Sequence, residues 1–160
     1  MRHYIVTLLL LSGLVGIANA QIGNFNEAQI PDHTPMMNST WEAIDKMMYK
    51  VTTEGNKKVY TPAYPEPLKK LENTVVELPG YMVPLKSGRH HDTYMLSVLP
   101  ITQCQFCGTN GIPPMVEIFM KKGTVKFTDE PIKIKGKMVF NPEPLKGNAE
   151  IQIVNAELMN

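Results

Sequence analysis

The chain has two cysteines, Cys104 and Cys107, and both lie in the segment PITQCQFCGTNGIPP that runs from residue 100 to 114. Thiols at this spacing suit three chemistries: a disulfide, thiol–disulfide exchange, and ligation of a soft metal ion. As a staple the disulfide is weak, because closing a loop of about four residues removes only ~2 kcal/mol of denatured-state entropy, against nearly ~5 for a hundred-residue loop. Exchange chemistry of the thioredoxin kind needs the first thiol at a helix N-terminus, where its pKa falls. Gly108, Gly111 and Pro113-Pro114 follow too closely for a helix to start. Covalent haem attachment requires C-x-x-C-H, and residue 108 is Gly, so that chemistry is excluded. Copper(I) or zinc accepts two thiolates, but a closed tetrahedral zinc site needs two further ligands.

Other donors are present. Met115 follows the cysteine segment directly, while His33, Met36 and Met37 sit together near the start of the chain, on a stretch that could reach either end of a small domain. His90 and His91 precede the strand that leads into the cysteine segment, and seven or eight extended residues span ~25 Å, so the pair and the cysteines belong at opposite ends. Adjacent histidines in a polar loop read as solvated residues. The chain holds eleven methionines, one of them Met1; such a count suits copper(I) handling and equally suits core filling. No G-x-S-x-G, H-E-x-x-H or phosphate-loop pattern occurs, which points away from hydrolytic and phosphoryl chemistry.

The elements that must position these residues are short. The 13 prolines and 11 glycines among 160 residues predict many turns and a mainly β fold. Strands are expected over 74–85, bent at a Pro79-Gly80 bulge, and over 93–99, 115–120, 132–140 with Gly136 as a bend, and 150–158. A polar hairpin loop is expected over 86–92. Five short strands, two of them kinked at glycine, predict a small five-stranded OB-like barrel with a short N-terminal helix; a β-sandwich is the alternative. Ser39 or Thr40 is expected to cap that helix, over 41–49, with Trp41, Ile44, Met47 and Met48 as its apolar stripe. Gly55-Asn56 and the prolines at 62, 65 and 67 read as a polar stretch and a stiff connector.

Residues 1–20 begin with Arg2-His3, continue through an apolar run too short to span a bilayer and end in Ala18-Asn19-Ala20. This is the pattern of a secretory signal peptide cleaved after Ala20. The expectation is a periplasmic or secreted protein with no membrane anchor after cleavage, a flexible arm over 21–38 and a single domain over 39–160. Whole-chain charge is 16 Lys+Arg against 15 Asp+Glu; losing Arg2 balances it, so no long-range field draws nucleic acid.

The stretches Leu78-Pro79-Gly80-Tyr81-Met82-Val83-Pro84-Leu85, Cys104-Gln105-Phe106-Cys107-Gly108, Val116-Glu117 and Ile132-Lys133-Ile134-Lys135-Gly136 resemble a family of exported bacterial proteins of unknown function. The resemblance runs from about Trp41 to Leu158. It implies an OB-like fold, company with membrane transport and metal-homeostasis systems, and motif positions at Gly80, Tyr81, Met82, Pro84, Cys104, Cys107 and Glu117. It implies no catalytic residue. Residue by residue, Gly80 also reads as a bulge, Tyr81 and Met82 as opposite faces of a strand, and Glu117 as a solvent-facing strand residue. Three functions follow from these readings: a non-enzymatic binding or accessory module that holds a soft metal or a partner through the cysteine loop, a thiol–disulfide protein, and a structural domain with an inert disulfide. A metal-receiving protein or a transport system would be the partner of the first.

Overall fold

A computed structural model of the chain describes residues 36–100, 113–141 and 147–159. Its centre is a closed barrel of β3 (Val75–Pro84), β5 (Thr93–Ser97), β6 (Met115–Met120), β8 (Ile132–Phe140) and β9 (Ile151–Met159), hydrogen-bonded in the order β3-β5-β6-β9-β8. Counted along the chain, the barrel strands run first, second, third, fifth, fourth, with β6 and β9 parallel and the other neighbours antiparallel. This is the closed five-stranded Greek-key arrangement of OB-like barrels. The barrel interior follows from strand alternation: Leu78, Tyr94, Leu96, Val116, Ile118, Ile134 and Met138 have no accessible surface, and each lies on the inward set of its strand.

Two glycines shape the closure. Along β3, Val75 to Gly80 pair with β8 and Tyr81 to Pro84 pair with β5, so Gly80 is the corner at which the strand passes from one neighbour to the other. The expected bulge is absent there, since pairing runs on without a register shift; a glycine bend turns the corner. The bulge lies on β9, where Val154 pairs with Lys137 and Glu157 with Lys135. Two residues, Asn155 and Ala156, thus oppose the single Gly136, and Asn155 takes a φ of 52°, a left-handed conformation that asparagine tolerates.

Outside the barrel, α1 (Ser39–Asp45) starts two residues earlier and ends about one turn earlier than expected, and it is capped by Asn38, whose side chain accepts from the Trp41 N–H at 2.9 Å. Trp41 is fully buried and donates its indole N–H to the Pro79 carbonyl at 2.7 Å, which fixes the helix on β3. Met48 leaves the predicted stripe and is 70% exposed. The expected connector is instead an antiparallel ribbon of β1 (Met48–Glu54) and β2 (Lys57–Ala63), turning at Gly55 with φ 61°. A short helix, α2 (Glu66–Lys69), buries Leu68. The polar loop before β5 contains β4 (His90–His91), paired with β7 (Val125–Lys126). Among the described residues no helix is long and apolar enough to cross a membrane.

Candidate functional site

Strand alternation places Met95 and Ser97 of β5, with Met115 and Glu117 of β6, on the outer face of the barrel. Register confirms the grouping, because Met95 pairs with Glu117 and Ser97 with Met115, and opposed residues share a face. An outer face is ordinarily wet, yet Ser97 is 0% and Glu117 4% exposed. The segment entering β9 lies over Glu117. Glu117 Oε2 accepts the Ala149 N–H at 3.0 Å and the Gln152 side-chain amide at 3.3 Å, so its carboxylate anchors that segment and is not the solvent-facing group the sequence suggested. Ser97 Oγ accepts from the Leu99 N–H at 3.2 Å.

Between this face and its cover runs a cleft of about 290 Å³. Three thioether side chains reach it from separate elements: Met47 from the turn after α1, Met95 from β5 and Met115 from β6. Asp45 and Glu150 contribute carboxylates to the wall, Tyr49 its phenol, and Pro113-Pro114 close the side where the cysteine segment rejoins the barrel. No lysine or arginine is among the described residues that line it. The described lining thus combines methionine, acidic and tyrosine residues and carries no cationic one. The cleft also occupies the outer face of the second and third barrel strands, the face on which OB-like folds take ligands.

Glu150 is held from two sides. Tyr49 Oη donates to its carboxylate, and Tyr64 Oη donates to its backbone carbonyl at 3.2 Å, with the Tyr64 ring stacked on Phe140 at 4.0 Å between centroids. Burial first, then the hydrogen bond to Glu150 and its negative charge, push the Tyr49 phenol up to about 12. Tyr49 thus remains a donor throughout the neutral range. Burial likewise raises the Tyr64 phenol, with Glu150 and Glu72 adding to the effect.

The residues singled out in the sequence fall into three groups. Met115 lines the cleft, and Glu117 lies under its cover. Met36 is tied by its N–H to the Val98 carbonyl at 3.0 Å, which fixes it at the end of β5 that leads into the cysteine segment; Met37 beside it is 43% exposed. Gly80, Tyr81, Met82 and Pro84 all belong to β3, with Met82 in the core, Tyr81 buried and Pro84 half-buried, which places them in the barrel wall. Cys104, Cys107 and His33 lie outside the described residues. His90 is exposed, but His91 is 4% exposed, and its Nε2 has no hydrogen-bond partner among the described residues. His91 is therefore packed and not solvated. The sequence reading missed Met95, Asp45 and Glu150; its assignment of Met47 to core packing holds, since Met47 packs half-buried against the core, and the same residue also lines the cleft. Met95 carried a signal, since it is an apolar residue on the outward set of a strand whose inward set is Tyr94 and Leu96.

Among the described residues no group of three or more His, Cys, Asp or Glu side chains could hold a metal ion. No protein-family model, curated protein or solved structure matches the chain.

Proposed function

We propose that this chain is a non-enzymatic binding and accessory protein, exported to the periplasm or secreted after cleavage following Ala20, whose cleft holds copper(I). The observation that carries the reading is the convergence of Met47, Met95 and Met115 on one cleft at the foot of the cysteine segment. Thioethers bind copper(I) in preference to zinc, which wants thiolate, imidazole or carboxylate donors. The carboxylates of Asp45 and Glu150 add negative potential without being soft ligands. Cys104 and Cys107 belong to the segment that ends at Pro113-Pro114, so their thiolates would complete the donor set or receive the ion from it. A site of exchangeable donors suits delivery to a membrane transport system or to a metal-receiving protein.

The test is competition titration of copper(I) against a colorimetric chelator under reducing conditions, with zinc in parallel. Three proteins are compared: wild type, Met47→Leu/Met95→Leu/Met115→Leu, and Cys104→Ser/Cys107→Ser. Leucine conserves volume, so the fold is retained at a cost below about 1.5 kcal/mol per site. Copper(I) affinity should fall at least about tenfold in the methionine variant, the equivalent of roughly 1.4 kcal/mol, while zinc binding is unmoved by it. Equal copper(I) affinity in all three proteins would remove the metal reading. Loss in the cysteine variant alone would place the ion on the thiolates and leave the cleft without a role.

A further inference from the structure

Strands β1 and β2 pair only with each other, and most of their residues are exposed on both faces. Isolated two-stranded ribbons are marginally stable in water, so what the ribbon presents to solvent matters. Its register sets Tyr49 opposite Pro62, Val51 opposite Tyr60 and Thr53 opposite Lys58, and opposed residues share a face. That face is apolar over its first two pairs and cationic at the third. Tyr49, Val51 and Tyr60 are 45%, 51% and 48% exposed, and the two tyrosine rings meet edge to face at 6.4 Å. The opposite face carries Lys50, Thr52, Glu54, Lys57 and Thr61 along most of its length, with Val59 opposite Thr52 and, at the base, Met48, 70% exposed, opposite Ala63.

Charge is distributed lengthwise as well. On this face Lys58 is the charge at the tip, where Lys57 pairs with Glu54 on the other face, while Glu150 is bonded to Tyr49 at the base, beside Asp45 on the cleft wall. A two-fold axis through the Val51–Tyr60 pair lays the Thr53–Lys58 pair of one copy over the Tyr49–Pro62 pair of the other, two residues or about 7 Å from the axis on each side. Apolar surface then covers apolar surface, and the Lys58 ammonium of each copy meets the carboxylates at the base of the other. We infer that this face joins two copies of the chain as an isologous dimer. Three residue pairs cover less than the ~800 Å² per partner of a standard interface, so the dimer is weak and its population depends on concentration.

The test is sedimentation velocity from micromolar to submillimolar protein, in chelator and reductant so that neither metal nor intermolecular disulfide links copies. The wild type should pass from monomer to dimer across this range. Lys58→Glu and Glu150→Lys should each weaken association about tenfold or more, because each sets like charges against each other twice per dimer. An equimolar mixture of the two variants should recover it, since in the mixed pair positions 58 and 150 again carry opposite charges at both contacts. Val51→Ser/Tyr60→Ser should abolish it. A monomer at every concentration, growth past a dimer, association that neither charge variant weakens, or a mixture no tighter than its components would overturn the inference.

Discussion

Replacing Gly80 by alanine tests the barrel corner directly. A Cβ at this position would lie 2.7 Å from the Ser97 carbonyl oxygen and 2.9 Å from Leu96 Cγ. The second contact can be relieved by a rotamer change, but the first cannot, because Ser97 pairs with Tyr81 at the place where β3 joins β5. The methyl also points inward, in the set that includes Leu78 and Met82, so it cannot escape to solvent. Inserting a methyl into a packed core costs typically ~1–3 kcal/mol. With backbone as the obstacle, the upper half of that range applies. For a domain of this size each kcal/mol lowers Tm by roughly 3–5 °C, so the variant should melt about 10 °C below wild type. The assay is thermal and urea unfolding followed by circular dichroism, with Val75→Ala, at a position 64% exposed, as the control that moves little. An unchanged midpoint for Gly80→Ala would refute the argument, because it would mean that β3 and β5 do not approach as closely as the register requires.

Trp41→Phe should destabilise by about 2–4 kcal/mol through the lost indole donor to Pro79 and the volume removed from a fully buried position, read as a fall in the urea midpoint at unchanged slope. Glu77 is bridged by Lys133 at 2.9 Å and Lys135 at 3.3 Å, and hydrogen bonds and charge from these lysines hold its carboxyl below the usual carboxylate range. A lowered folded-state pKa contributes stability that is present above the ordinary carboxylate range and lost as pH falls through the lowered value; Glu77→Gln should therefore flatten the acid limb of the Tm–pH curve, and an unchanged limb would show that the pair is screened away.

Much of the barrel was legible because its strands have one buried side. Ile132 to Phe140 and Met115 to Met120 appear with the expected limits, and β3 differs by one residue at each end. In Ile132 to Phe140 the alternation of apolar and polar residues maps onto inside and outside, so period and burial reinforce each other. The ribbon of β1 and β2 was not legible for the converse reason. Neither of its faces is buried, so no pattern of burial marks it, and Pro62 in an unshared edge strand breaks no ladder that the fold needs. The helix boundary failed at its cap: Asn38, not Ser39 or Thr40, accepts from the first turn, and all three residue types are good caps.

The cleft was harder to foresee, and the reason is structural. Sequence alternation assigns a strand residue to the inside or the outside of a sheet, but it cannot say whether a second layer covers the outside. In β5 and β6 the outward set is Thr93, Met95, Ser97, Met115, Glu117 and Phe119, and a polar outward residue is what a solvated face would show. The cover comes from residues distant in sequence: Ala149 lies 32 positions from the Glu117 carboxylate that binds its N–H, and Met47 arrives from the turn after α1. Burying that carboxylate is tolerated because it accepts two hydrogen bonds, and those bonds fix the segment that brings Glu150 to the cleft. The mixed outward set was therefore informative in itself. Two methionines on the same face as a serine and a glutamate suit neither open water nor a plain core, and the structure resolves the conflict by enclosing them at the edge of a cavity.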